Sequence, residues 1–192
     1  MTAPPVVASY PEATSILGRN IQTLRAMLSR CAKIQTLFSA ADATEALTRI
    51  YLGCLPRPAD GRRYTTEELN AYRPFAIVGP SPNLIISSQV VSSIGTWSHS
   101  RMGQCDILIE RSFPTGGDDE DDQKDFAWID LVDGIRQSND TDEPGLLELH
   151  ETAGNLSIKS SEILSIYRGD EAEIQMLGDY QAAVLRIQWG RI

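Results

Sequence analysis

YQAAVLRIQWG, residues 180–190, is the stretch on which the fold turns. In an extended chain Ala183, Leu185, Ile187 and Trp189 fall on one side, and Tyr180, Ala182, Val184, Arg186 and Gln188 on the other. That alternation is the period of a β-strand with one buried face. Gly190 then suits a tight exit where a side chain would clash. A strand in this place either completes the chain's own sheet or lays an edge against a neighbour. On its polar side Arg186 and Gln188 are the candidates for a partner surface.

Upstream, Leu17, Ile21, Leu24 and Leu28 recur at helical spacing, and the pattern predicts a helix from about Thr14 to Arg30. CAKIQTLFS and ADATEALTRI extend the helical region, and IYLGCL reads as a short strand. Thr65 and Glu68 form a capping box for a short helix over TTEELNAY. PFAIVGP reads as a buried strand ended by Gly79-Pro80. NLIISSQVVSSIGTWSHS and RMGQCDILIERS give two or three antiparallel strands, the last with Cys105, Ile107 and Ile109 alternating with Asp106, Leu108 and Glu110. Trp128, Leu131, Val132 and Ile135 mark a second helix over roughly residues 120–138. LLELHE, LSIKS and the closing stretch follow as strands. Helix, strands, helix, strands is the order of an α+β fold, here a largely antiparallel sheet with two main helices packed on one face. Residues 1–13, with three prolines, read as an extended arm, and residues 14–192 as a single domain.

Composition narrows the function. A chain of 192 residues can bury a core without disulfides, and Cys31, Cys54 and Cys105 read as reduced, small core hydrophobes. A net charge of -9 with no basic cluster argues against tight nucleic-acid binding, which needs grouped Lys and Arg. No signal peptide or membrane-spanning run is evident, so synthesis in a cytoplasm is expected. The two histidines, His99 and His150, stand apart. No Walker loop, G-x-G-x-x-G, G-x-S-x-G, H-E-x-x-H or C-x-x-C occurs, so no catalytic residue, cofactor or metal site is assigned.

The densest charge is DDEDDQKD, residues 118–125, with six carboxylates in eight positions. It admits three readings: a divalent-cation site, a solvated loop whose acids favour the start of a helix, or an electrostatic surface that seeks a basic partner. Within this acidic loop, near 115–125, Asp119, Glu120, Asp121 and Asp122 are interface candidates.

The layout resembles that of the bacteriophage tail terminators, also called tail completion or tail–head joining proteins. The likeness lies in the long first helix, LFSAADATEALTRIYLGCLP (residues 37–56), RRYTTEELNAYRPFAIV (62–78), a sheet interrupted by one helix, and the closing strand DYQAAVLRIQWG (179–190). It covers most of residues 14–190; the insertion PTGGDDEDDQKD and the proline-rich start are not family features. The resemblance implies a structural virion protein with no enzymatic activity and no cofactor. It would form a homo-oligomeric ring, usually a hexamer, at the tail–neck junction. There it stops growth of the tail tube and joins the tail to the head connector. Its partners would be further copies of itself, the tail tube protein and the neck proteins; DNA would pass through the ring without tight binding, and no membrane is involved. Alternatives are another neck component, such as a head-completion or connector-stopper protein, or a cellular α+β enzyme or small-molecule binder.

Overall fold

The closing strand occupies the interior of the sheet. The computed structural model describes residues 10–56, 58, 60–62, 64–80, 87–93, 96–114, 121–138, 142–149, 156–169 and 180–191. In it β6 (Tyr180–Arg191) pairs antiparallel with β4 (Thr96–Ser112) on one side and with β5 (Leu156–Gly169) on the other. Beyond β4 lie β2 (Phe75–Pro80) and then β1 (Ile50–Leu52), the one parallel pairing among these strands, giving the order β1-β2-β4-β6-β5. β3 (Ser87–Ser93) pairs with the first part of β4, up to Met102, whereas β2 takes the part from Cys105 onward. The fold is α+β and mostly antiparallel, as its alternating stretches imply.

Among the described residues five helices accompany the sheet: α1 (Ile16–Arg30), α2 (Ala32–Phe38), α3 (Ala43–Leu47), α4 (Thr66–Tyr72) and α5 (Asp121–Arg136). Three of these starts carry a side-chain cap. Ser15 accepts from the Gly18 N–H at α1, Asp42 accepts from Glu45 N at α3, and Thr65 and Glu68 complete the capping box at α4. Alternation along the strands divides the sheet into two rows. One row, with Cys105, Ile107, Ile109, Ala183, Leu185, Ile187 and Trp189, joins Leu24, Met27 and Leu28 of α1, Ile34 and Phe38 of α2, and Trp128, Val132 and Ile135 of α5 in a single buried cluster. A smaller cluster, Tyr51, Tyr72 and Phe75, lies under α4.

Four details differ from the sequence reading. The described part of LLELHE, residues 146–149, is not a strand: Leu146–Glu148 form a turn below α5, where the Leu146 N–H donates to the Ile135 carbonyl at 2.9 Å. Gly145 permits this approach, because a Cβ there would lie 2.7 Å from the Gln137 Cα. Cys54 is exposed just after the Gly53 turn at φ 74°, so only Cys31 and Cys105 act as core hydrophobes. Gly190 makes no tight exit, since a Cβ there would meet only the flexible stem of Lys159. β5 runs on for 14 residues, well past LSIKS, through register shifts that leave Lys159 and Leu164 without ladder partners.

Candidate assembly surface

Where β4, β6 and β5 pair, the second row of the sheet carries charged side chains, beside the Tyr51–Tyr72–Phe75 cluster. Asp106, Arg186 and Glu162 are register partners across three adjacent strands. Arg186 grips Asp106 through both ends of its fork, Nε to Oδ1 at 3.0 Å and Nη2 to Oδ2 at 3.1 Å. That bidentate bond, helped by the nearby Glu162 carboxylate, pushes the Arg186 guanidinium pKa further up. Gln188 stands next along β6, opposite Gln104. Arg186 and Gln188 therefore lie side by side on this row, and Arg186 is committed to intramolecular partners.

Toward α4 the same row ends in a buried ion pair that has no sequence signature. Arg73 donates to Glu110 Oε2 from Nε and Nη2, each at 3.2 Å, and from Nη1 to the Asn70 side chain at 2.7 Å. Its guanidinium stacks 4.2 Å from the Tyr180 ring centre, and Tyr180 meets Tyr167 edge to face at 6.2 Å. Burial pushes the Glu110 carboxyl above its ordinary range, and the Arg73 charge only partly offsets this. The arrangement ties α4 to β4 and β6 and acts as a structural lock.

At β1 the Leu52 N–H donates to the Tyr10 hydroxyl at 3.0 Å, and Arg25 donates to the Ile50 and Leu47 carbonyls at 2.6 and 2.8 Å with its guanidinium 4.9 Å from the Tyr10 ring centre. Tyr10 and Arg25 thus occupy the backbone groups that β1 presents outward, and they line a cleft of about 500 Å³ with Glu12, Gln22, Thr44, Leu47 and Thr48. At β5, Arg136 Nη1 reaches the Ser161 carbonyl at 3.5 Å.

Of the acidic candidates, Asp121 and Asp122 open α5, while Asp119 and Glu120 lie outside the described residues. α5 is anchored at its start by Gln181, which donates to Asp125 Oδ1 and the Lys124 carbonyl and accepts from Arg111 Nε at 2.8 Å. His99 falls in β4 opposite Val90, and His150 lies outside the described residues. Among the described residues no group of three His, Cys, Asp or Glu side chains is placed to hold a metal ion, and no helix is long and apolar enough to cross a membrane.

The sequence matches no protein-family model and no curated protein. Among solved structures it is similar to a chain of the virion of a native gene transfer agent particle, at 11% identity and a TM-score of 0.42, covering 93% of this chain and 99% of that one. A likeness of that size has no bearing on the chemistry of the surface.

Proposed function

We propose that this chain is a structural virion protein of the tail terminator type, without enzymatic activity. It closes the end of a phage tail tube as a homo-oligomeric ring, usually of six subunits, stops tube growth and joins the tail to the head connector. The observation that carries the reading is the element order that the resemblance rests on. A long first helix and a capped short helix precede a buried strand, and a sheet broken by α5 is completed by β6. The charged second row agrees with an assembly part: it offers a fixed, hydrogen-bonded surface. The acidic balance of the whole chain suits a ring through which DNA slides without being held.

Arrest of tube growth tests this reading. Tail tube protein that polymerises in vitro should stop elongating when the purified chain is added, and the capped tubes should then accept neck proteins. Tubes that grow on unchanged, with the chain remaining in the supernatant, would rule the proposal out.

A further inference from the structure

Among the described residues β1 pairs with a strand on one side only. In its parallel ladder with β2 the Arg49 carbonyl accepts from the Ala76 N–H at 3.0 Å, and the Gly53 N–H donates to the Val78 carbonyl at 2.9 Å. Successive residues of a strand turn their backbone groups to opposite sides, so those of Ile50 and Leu52 face away from β2. Outward groups of this kind template a further strand unless something covers them. Here Arg25 Nε takes the Ile50 carbonyl, and the Cys54 N–H takes the Leu52 carbonyl at 2.9 Å. The Leu52 N–H has the Tyr10 hydroxyl as its acceptor.

Tyr10 arrives on a strap, residues 10–13, that runs back along α1. Gln22 holds the strap backbone at two points: its Nε2 donates to the Pro11 carbonyl at 2.7 Å, and its Oε1 accepts from the Ala13 N–H at 3.1 Å. Arg25, three residues on and on the same side of the helix, stacks on the Tyr10 ring. Ala13 lies so close to Gly18 that a Cβ on the glycine would come within 2.7 Å of the Ala13 Cβ.

These attachments are separate from the core. Tyr10 and Ala13 are half-buried, and Pro11 and Glu12 are exposed. Among the described residues neither apolar cluster includes one before Leu17. The receiving side needs no strap to keep its shape, because Arg25 is fixed by the Ile50 and Leu47 carbonyls. Tyr10 and Glu12 form the strap's side of the 500 Å³ cleft, against Gln22, Arg25, Thr44, Leu47 and Thr48. A segment held by a few half-exposed hydrogen bonds, with little apolar contact, opens at a lower free energy than the core.

From this arrangement we propose that residues 10–13 are a latch: the strap detaches as a unit from a domain that stays folded, and its detachment bares the Leu52 N–H and opens the cleft. Gln22 and Arg25 are the catch, and the Tyr10 hydroxyl is the bolt on the sheet edge. The latch stands apart from the tail-end reading, since it is measured on the chain alone and neither outcome bears on tube capping.

Native-state hydrogen exchange of the full chain tests it, with the Leu52 amide as reporter and the Ala76 amide, bonded inside the ladder, as reference. In the unaltered protein Leu52 should be protected, yet exchange through an opening that low denaturant scarcely affects; Ala76 should exchange through a larger, denaturant-dependent opening. Tyr10→Phe removes the acceptor and keeps the ring on Arg25, so Leu52 exchange should rise roughly two- to tenfold, the effect of one hydrogen bond. Gln22→Ala should speed Leu52 in the same way although Gln22 does not touch it, because the strap moves as one piece. Ala76 exchange and the melting temperature should be unchanged in both variants. The proposal is overturned if Leu52 is unprotected in the unaltered protein, or exchanges only with global unfolding. It is equally overturned if either variant leaves Leu52 unchanged, or if both amides speed up together.

Discussion

Gly103 stands opposite Trp189 in the β4–β6 ladder, and a Cβ on it would lie 2.5 Å from Cζ2 of the indole. The ring of Trp189, 1% exposed, lies across the backbone of β4 in space that only glycine leaves. Gly103→Ala should therefore destabilise the protein by about 1–3 kcal/mol, the usual cost of overpacking. The loss should shrink in a Trp189→Leu background, which a double-mutant cycle of denaturant midpoints would read. Equal losses in both backgrounds would mean that the two residues are not coupled.

Removing residues 180–192 should leave no folded protein, because it takes the strand between β4 and β5. Trp189→Ala alone should cost about 3–5 kcal/mol, a large share of a domain's stability. Circular dichroism of the truncated chain checks this: a cooperative melt at the original temperature would show that β6 is dispensable.

Arg186→Ala should lower the melting temperature, whereas Gln188→Ala should not. Without the guanidinium, Asp106 and Glu162 face the same gap in the ladder with no cation between them. Adding Asp106→Asn should recover part of the loss. If Arg186→Ala melts like the original, the ion pair contributes nothing and Arg186 is available for a partner.

Two glutamates should titrate on opposite sides of the ordinary range. Glu68, bonded by Arg62 and by the Thr65 N–H, is lowered to about 2, so its contribution is present above about 4.5 and is lost as pH falls toward 2. Burial raises Glu110, so folding favours its protonated form, and its contribution is lost as pH rises through the folded value. Carboxyl NMR titration reads both directly. Glu68→Gln should also flatten the acid limb of a melting-temperature profile.

Cys54 should be the only thiol to react quickly with a disulfide reagent in the folded protein. Burial pushes the Cys31 thiol up to about 12 and Cys105 in the same direction, so neither supplies thiolate at neutral pH. All three should react in denaturant; fast modification of a second thiol under native conditions would contradict the buried placement of Cys31 and Cys105.

Local patterns in the sequence were legible where one physical rule dominated. The alternation in β6, the stripe of α1 and the capping box of α4 all appear at the expected places. β5 was harder to read, because two register shifts change which residues face the core, so Ile158, Ile163 and Ile166 follow no single period. LLEL looks like a strand, but Leu146 instead fills the space under α5, a choice made by tertiary packing around Gly145. Arg73 and Glu110 lie 37 residues apart, and no local rule pairs them. The candidates Arg186 and Gln188 could be placed on the polar side of β6, but the bond from Arg186 to Asp106 depends on the register of two strands 80 residues apart.

The most direct measurement is the number and position of copies in assembled particles. Electron cryo-microscopy with this chain labelled should find a closed cyclic set of copies, six by expectation, in one layer at the head-proximal end of the tail tube. A single copy per particle, or copies distributed along the length of the tube, would contradict the account.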